Sequence, residues 1–272
     1  MIPAAFDYNV AESAEHAIQL LGEYGDESKL LAGGHSLIPM MRFRLATPTV
    51  LIDVGRLDDL RYIRSENGHI AIGAMTRHEQ LENSDVLADS CPLLRHVASI
   101  VGDPAVRHRG TLGGTMAHSD PASDLPAAVL ALGGTIVAQG PGGTREIAAT
   151  DFFKGYFESV LAADEMITEV RVPANTGGWN YQKFNRRAQD WAIVGVAVAD
   201  GGKGISLVNM GSTPIRASAA EAALAGGASA ADAAQAAAEG TTPPVDHNAD
   251  VEYRTHLAKA LTARALSEAG VG

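Results

Sequence analysis

Two Gly-Gly pairs constrain this chain more than any other feature, because each stands where an apolar run gives way to polar residues. The first lies in Leu31–Pro39, LAGGHSLIP, and the second lies in 107–126, RHRGTLGGTMAHSDPASDLP. Glycine permits positive φ and lacks the Cβ that would keep a ligand away, so successive amide N–H groups can converge on an anion. Two such loops can hold both phosphates of a dinucleotide, although ordinary tight turns also use paired glycines.

Motifs for other chemistries do not occur in the sequence. There is no GxGxxG behind a predicted strand and no GxxxxGK[ST], which argues against a Rossmann or P-loop nucleotide site. Neither a GxSxG elbow nor a distinct pair of carboxylates is present, so hydrolysis is disfavoured. His108 and His118 have no carboxylate at ligand spacing, and we expect them to form hydrogen bonds or helix caps rather than a metal site.

Charge and cysteine usage exclude several further classes of protein. The formal net charge of −11 disfavours binding to nucleic acid or to an anionic membrane. The sequence has neither a long uninterrupted apolar run nor a basic segment leading into one, so we expect a cytoplasmic protein without membrane insertion. Cys91 is the single cysteine, so this chain by itself holds no disulfide, no cysteine-ligated zinc and no iron-sulfur cluster, and the apolar helical pattern around it predicts a core thiol.

The order of predicted elements is that of an α+β protein. Strands are predicted at 29–32, 49–54, 61–64, 69–74, 135–139, 145–149, 166–173, 179–187, 193–199 and 204–213. Helices are predicted at 11–24, 76–87, 92–101 and 125–132, in an alanine-rich stretch from Ala217, and in a final amphipathic segment from Tyr253. Gly25 is expected to end the first helix, and Asn67-Gly68 predicts the turn of a hairpin. A Pro/Gly/Asn stretch at 173–178 marks a domain boundary.

The two glycine motifs, in this order and at this separation, resemble those of a known family. The stretches AGGHSLIPMMRFRLATPTVLIDV and VRHRGTLGGTMAHSDPASDLPAAVLAL closely resemble the FAD-binding medium subunits of molybdenum hydroxylases, of the carbon monoxide dehydrogenase and xanthine dehydrogenase type. The resemblance extends almost from end to end. It implies a two-subdomain FAD-binding fold of the vanillyl-alcohol-oxidase (PCMH) type, followed by a C-terminal α/β domain with a three-stranded sheet. The FAD-binding domain would span 1–175, with subdomains at about 1–55 and 56–175, and the C-terminal domain would span 176–272.

The resemblance also implies which residues bind the cofactor. The FAD pyrophosphate would be wrapped from one subdomain by Ala32, Gly33, Gly34, His35 and Ser36, and from the other by Thr111, Leu112, Gly113, Gly114 and Thr115. Asp124 would hydrogen-bond a cofactor hydroxyl, and Ile100, Val101 and Gly102 would lie beside the isoalloxazine ring. Further FAD contacts are expected from Lys29, Ile167 and Lys183. Nearby cations, namely Lys29, Lys183, Arg107 and Arg109, would favour the negative charge of the pyrophosphate and of the reduced flavin.

Trp191 is the one residue for which a direct role in the reaction is expected. Related subunits carry an aromatic residue near the flavin face in the corresponding loop, where it can shield the ring or move aside to admit an oxidant. The competing interpretation is a core tryptophan at the edge of an apolar strand. No other catalytic residue and no metal ligand is assigned in this chain.

The function implied by the resemblance is electron transfer. A large partner subunit with a molybdenum-pterin site would oxidise the substrate, a small partner with two iron-sulfur clusters would relay electrons, and FAD on this chain would pass them to a quinone, NAD or oxygen. The complex is expected to be a dimer of heterotrimers. GGHS also resembles the motif of stand-alone flavin oxidases of the same superfamily, in which FAD would be attached covalently to His35. A third possibility is a subunit that has lost FAD and serves as an assembly scaffold.

Overall fold

A small parallel sheet opens the chain in the computed structural model, which describes residues 2–271. Its strands follow the order β1-β3-β2. The elements are β1 (Asp7–Val10), α1 (Ala14–Tyr24), β2 (Ser28–Leu31), α2 (Leu37–Arg42) and β3 (Val50–Asp53). Short 3-10 turns lie at Gly25–Glu27 and Asp58–Leu60.

Helix α1 covers one face of this first sheet because its apolar residues recur at helical spacing. Ala17, Ile18 and Leu21 are buried in a cluster that also contains Val50 and Ile52 of β3. The Ser13 side chain accepts a hydrogen bond from the His16 amide at 3.1 Å and caps the helix. The helix ends at Gly25 with φ 54, as the sequence predicts.

A five-stranded antiparallel sheet forms the centre of the molecule, in the order β4-β5-β10-β6-β7, and β8 and β9 pair separately. The elements are β4 (Ile63–Glu66), β5 (His69–Gly73), α3 (His78–Glu82), α4 (Asp85–Ser90), α5 (Pro92–Ser99), α6 (Pro104–Arg109), α7 (Leu112–His118), α8 (Asp124–Ala131), β6 (Thr135–Gly140), β7 (Gly143–Ala148), α9 (Ala149–Phe152), β8 (Phe153–Gly155), β9 (Glu158–Ser159) and β10 (Met166–Pro173). Asn67 and Gly68, both with positive φ, form the predicted hairpin turn between β4 and β5.

The single helix predicted at 76–87 is wrong, because the structure has two short helices, α3 and α4, in this region. The side chain of Asn83 donates to the Glu79 carbonyl at 2.9 Å and closes the first helix. The Ser84 hydroxyl then accepts from the Leu87 amide at 3.2 Å and caps the second. Asn and Ser compete with the helix backbone for hydrogen bonds, so the apolar periodicity across them did not predict the break.

The C-terminal part is an antiparallel sheet covered by helices. The elements are β11 (Asn180–Phe184), β12 (Val194–Ala199), β13 (Gly204–Val208), β14 (Ile215–Arg216), α10 (Ser218–Ala225), α11 (Ala230–Gln235) and α12 (Val251–Glu268), with a 3-10 turn at Asp200–Gly202. The three long strands form the expected three-stranded sheet, and the two-residue strand β14 extends it at one edge. The strand predicted at 204–213 ends early, because Asn209 has φ 61 and turns the chain. The domain limits at 175 and 176 stay a prediction.

Helix α8 joins the central and C-terminal parts. All eight of its residues are buried, and its backbone accepts a hydrogen bond at the Ala127 carbonyl from the Ser206 hydroxyl of β13. Cys91 is fully buried in the same large apolar cluster, which confirms the predicted core thiol, and burial raises its pKa to about 11. Among residues 2–271, no helix combines the length and apolarity needed to cross a membrane.

Candidate functional site

The two glycine motifs touch each other, although they belong to different sheets. The first motif follows β2 of the first sheet, and the second motif begins α7 beside the central sheet. A Cβ added to Gly33 would overlap the Arg109 carbonyl and lie 3.1 Å from the Gly110 Cα. A Cβ added to Gly114 would lie 3.8 Å from the Cβ of Ala32. Glycine is therefore required at Gly33, where the backbone of the first motif meets the backbone that leads into the second.

The first motif offers a row of unused backbone donors. Gly34 has φ 78, and a Cβ there would lie 2.8 Å from the Ile38 Cδ1, so the loop needs glycine for both its conformation and its packing. Within the described part of the chain, no acceptor is recorded for the amide N–H groups of residues 33–37. His35 is exposed and Ser36 is half-buried. Successive free amides in such a turn form a cradle that suits an anion.

The second motif differs, because four of its five amides, those of residues 112–115, are already bonded within the protein. The Leu112 amide donates to the Thr76 carbonyl and the Gly113 amide to the Ala74 carbonyl, both at 2.9 Å. The remaining two amides at the start of α7 donate to Thr111, one to its hydroxyl and one to its carbonyl. Among the described residues of this motif, the Thr111 amide alone has no recorded acceptor, so a row of free amides like that of the first motif does not occur here. Gly113 instead serves packing, since an added Cβ would lie 2.6 Å from the Ala74 Cβ.

A buried histidine that sequence reasoning missed lies behind the second motif. The Nε2 of His78 is 3.0 Å from the Thr115 hydroxyl, and its backbone amide donates to the Gly110 carbonyl. Its ring is 3% exposed. Burial lowers the pKa of His78 to about 4, with the Thr111 carbonyl acting in the opposite direction, so the imidazole is neutral at neutral pH. No local pattern could have identified it, because it lies far from the motif in sequence.

A second group of predicted residues meets between α8 and β11. The Lys183 ammonium is 2.8 Å from an Asp124 carboxylate oxygen and also donates to the Ile100 carbonyl at 3.3 Å. The Tyr181 hydroxyl donates to the other Asp124 oxygen at 2.6 Å. Lys183 and Asp124 side chains are 9% and 6% exposed. Tyr181 was missed, although it lies two residues before Lys183 and alternation along a strand places both on one face.

Burial dominates the electrostatics of this group. It raises the pKa of Asp124, while the neighbouring Lys183 ammonium acts to lower it. Burial and the Asp124 carboxylate together raise the pKa of Tyr181 well above its ordinary value, so the phenol remains a hydrogen-bond donor. The cluster links the segment beside the predicted flavin ring to the C-terminal sheet.

The remaining residues predicted to bind FAD lie outside the glycine motifs and outside the cluster of Lys183, Asp124 and Tyr181. Val101 and Gly102 follow α5, and the Arg107 guanidinium binds the Val101 carbonyl at 3.2 Å while pairing with Glu82 at 2.7 Å. Exposed Lys29 lies on β2, three residues before the first motif, and the described residues show no hydrogen bond from it to either group. The Ile167 side chain is buried in the central core, so cofactor contact there would have to use its backbone.

Trp191 lies in the loop between β11 and β12, which starts two residues after Lys183. The Ile193 amide donates to the Phe184 carbonyl at 2.7 Å and closes the loop. The indole is 71% exposed, which excludes the interpretation as a core tryptophan. Its contact with a flavin stays a prediction, as do the other assigned cofactor contacts.

The chemistry of these donors fits FAD. Free amides suit the anionic diphosphate, hydroxyls add neutral donors, and the buried cluster beside Ile100 presents polar groups next to an apolar segment. A Cβ at Gly33 would collide with the Arg109 carbonyl, and one at Gly34 would lie 2.8 Å from the Ile38 Cδ1, so this form of the loop requires glycine at both positions. The residues of the first motif therefore suit the anionic diphosphate of such a cofactor.

Family comparisons agree with this geometry. Residues 4–175 match the model of the FAD binding domain in molybdopterin dehydrogenase, and 179–269 match that of the CO dehydrogenase flavoprotein C-terminal domain. The chain belongs to this family of FAD-binding oxidoreductase subunits, which confirms the resemblance and the fold class.

Individual relatives match over nearly the whole length. The medium chain of carbon monoxide dehydrogenase from Hydrogenophaga pseudoflava is 40% identical, covering 99% of this chain and 98% of its own. Subunit alpha of the 6-hydroxypseudooxynicotine dehydrogenase complex from Paenarthrobacter nicotinovorans is 37% identical, covering 99% and 96%. A solved carbon monoxide dehydrogenase from Hydrogenophaga pseudoflava, lacking the Mo-pyranopterin moiety of its cofactor, superposes with a TM-score of 0.94 at 43% identity, covering 99% of each chain.

Proposed function

We propose that this chain is the FAD-carrying electron-transfer subunit of a heteromeric molybdenum hydroxylase, accepting electrons from iron-sulfur clusters of a partner and passing them to an external acceptor. The contact between the two glycine motifs, with a row of free amides on one side, is the observation that carries the proposal. Bound FAD would supply a carrier that exchanges electrons singly or in pairs.

Different residues of the chain would bind different parts of FAD. The amides of residues 33–37 hold the phosphates, and glycine at Gly33 and Gly34 allows the loop that presents them, because a Cβ there would collide with Arg109 or Ile38. Lys183 and Asp124 fix the Ile100 segment against which the ring would lie. Trp191, on an exposed loop next to this cluster, controls access of an oxidant to the ring.

Partner subunits follow from what the chain lacks and from its relatives. Its single cysteine cannot hold an iron-sulfur cluster, so clusters that deliver electrons must belong to another chain. Relatives are named as a medium chain or as a subunit of a complex. We infer a large subunit with molybdenum-pterin and a small subunit with iron-sulfur clusters, assembled as a dimer of heterotrimers. The two relatives carry different substrate names, so the substrate is selected outside this chain.

The alternative function is a stand-alone oxidase with FAD attached to His35, whose side chain is exposed on the first motif. Against it, this chain matches 98% of the length of a chain named as a medium chain, which leaves no additional substrate domain in that relative. Acid precipitation distinguishes the two. We expect the flavin in the supernatant, whereas flavin retained in the protein pellet would support attachment to His35.

Purification of the native complex tests the proposal as a whole. Two companion chains are expected, one with molybdenum and one with iron-sulfur clusters, and substrate oxidation by this chain without them would contradict the proposal. FAD titration of the full-length chain tests the cofactor part. A chain that folds and shows no flavin absorption band after addition of FAD would support the scaffold interpretation.

A pair of glycine variants tests the cradle directly. Gly34→Val should abolish FAD binding while the circular dichroism spectrum stays close to that of the parent, because the branched side chain would enter the loop at φ 78. Gly142→Val is the matched control, since a Cβ at Gly142 meets no atom within 4 Å. Stoichiometric FAD in the Gly34→Val variant would refute the cradle.

A further inference from the structure

His78 lies beneath the second glycine motif, and no role follows for it from the fold or the family. We propose that His78 is a positioning residue that donates to the Thr115 hydroxyl and thereby directs the hydroxyl proton towards the diphosphate of FAD. The proposal rests on the proposed function, because it takes the two motifs as the diphosphate site.

Contacts hold the imidazole in one place. A Cβ added to Gly110 would lie 2.8 Å from the ring Cε1 and 2.9 Å from Nδ1, so the ring packs directly on this glycine. The backbone amide of His78 is bonded to the same residue. With 3% of its surface exposed, the ring cannot rotate without displacing the start of α7.

The hydrogen bonds of the ring select one tautomer. Nδ1 is buried and has no hydrogen-bond partner, whereas Nε2 faces Thr115 at 3.0 Å. A proton on Nδ1 would leave a buried N–H donor without an acceptor, which is costlier than an unpaired acceptor. The neutral ring therefore carries its proton on Nε2 and donates to the Thr115 oxygen.

This direction of donation leaves the hydroxyl proton of Thr115 available. Among the described residues, the ring of His78 is the one recorded side-chain partner of this hydroxyl, and because the ring donates, the hydroxyl proton has no recorded acceptor. Thr115 is half-buried at the motif, whereas the other threonine, Thr111, is 4% exposed and its hydroxyl already accepts from the Gly114 amide. Because the amides of residues 112–115 are occupied and Thr111 is almost fully buried, the Thr115 hydroxyl is the more accessible side-chain donor that this motif offers to a phosphate.

The charges around the ring agree with a neutral imidazole facing an anion site. His35 of the first motif and Arg107 both lie close enough to oppose a positive charge on His78. The neutral His78 ring donates to the Thr115 hydroxyl, and that hydroxyl donates to a phosphate. The site thereby gains a directed hydrogen bond without a further positive charge.

A double-mutant cycle on FAD affinity tests the proposal in the full-length chain. His78→Leu and Thr115→Val should each weaken FAD binding about tenfold, because each removes the same charge-assisted hydrogen bond. The double variant should also bind about tenfold more weakly, since the second substitution has nothing further to remove. His69→Leu, a histidine on β5, is the control and should leave the dissociation constant unchanged.

Conservative variants separate positioning from packing. The His78→Gln amide reaches the site of Nε2 and can donate to Thr115, so FAD affinity should return to within about threefold of the parent, whereas the His78→Asn amide stops near Nδ1 and should not restore it. Thr115→Ser should retain binding. We expect the FAD-free variants to unfold at the same temperature as the FAD-free parent. A purely structural role of His78 would instead lower the thermal midpoint of its variants.

Several results would overturn the proposal. Losses that multiply to about a hundredfold in the double variant would mean that His78 acts independently of Thr115. Unchanged affinity in Thr115→Val would remove the hydroxyl from the site even if His78→Leu failed to fold. Failure here is distinguishable from failure of the proposed function, in which the parent chain itself would bind no FAD and the Gly34→Val substitution would have no effect.

Discussion

Two lysine-aspartate pairs of nearly equal length make a quantitative test of the cluster beside Ile100. The buried pair joins Lys183 and Asp124 at 2.8 Å, and an exposed pair joins Lys203 and Asp200 at 2.9 Å. Side chains of the first pair are 9% and 6% exposed, and those of the second are 80% and 53% exposed. We predict that replacement of Lys183 by methionine lowers the free energy of unfolding much more than replacement of Lys203 by methionine.

The difference in magnitude follows from desolvation. Lys183→Met leaves the Asp124 carboxylate buried without its cation, and loss of one partner of a buried pair costs about 3–5 kcal/mol of unfolding free energy. Lys203→Met should cost about 0–1 kcal/mol, because both partners remain hydrated. Lys183→Met combined with Asp124→Asn should recover most of the loss, since the amide keeps an acceptor for Tyr181 and carries no charge.

The loss in Lys183→Met should depend on pH with a definite sign. Burial already raises the pKa of Asp124 above 3.8, and removal of the Lys183 charge raises it further. A carboxyl whose pKa is raised in the folded state favours folding below the pKa of the unfolded chain and loses that contribution as pH rises through the folded pKa. The cost of Lys183→Met should therefore be small near pH 4 and should grow towards pH 7.

Urea unfolding of the parent and the three variants at several pH values measures these effects, with circular dichroism as the signal. A cost for Lys183→Met that equals that of Lys203→Met, or that does not change with pH, would refute the assignment of a buried charged pair. Failure of the double variant to recover stability would place the loss in packing rather than in charge.

Two further predictions concern single exposed and buried side chains. Cys91, fully buried and with a pKa of about 11, should not react with a thiol reagent at pH 8 in the native chain and should react at once in urea, so rapid native labelling would contradict its burial. Trp191→Ala should change the unfolding free energy by no more than about 0.5 kcal/mol while increasing the rate at which oxygen reoxidises the reduced flavoprotein, and an unchanged rate would remove its role in access.

Elements with strong local signals could be predicted from the sequence. Asn67-Gly68 fixed a hairpin turn because both residues accept positive φ, and Gly25 ended α1 for the same reason. The break between α3 and α4 was not predicted, because Asn83 and Ser84 lie within an apolar pattern that continues on both sides. Side-chain hydrogen bonds to the backbone decided the structure there.

The sequence predicted which segments form the candidate site, but it did not predict the hydrogen bonds and packing contacts that their residues make. Glycine at Gly34, which has φ 78, is a local requirement that the sequence displays, whereas glycine at Gly33 is required by the distant Arg109 carbonyl. The use of Gly113 for packing on Ala74 depends on a contact between distant segments, and so does the placement of His78. Such tertiary contacts leave no pattern in a single sequence. The two glycine pairs therefore look alike in sequence, although the first lies in a loop with free amides and the second packs against Ala74.

The packing of Gly113 bears on how cofactor loss would be recognised among related chains. A subunit that had abandoned FAD would still need glycine at this position, since any side chain would collide with Ala74. The hydroxyl of Thr115 and the open turn at Gly34 would no longer be under selection for ligand binding. We therefore expect Gly113 to persist in degenerate relatives, so that its retention says little about a functioning flavoprotein, and variation at Thr115 is the more informative sign.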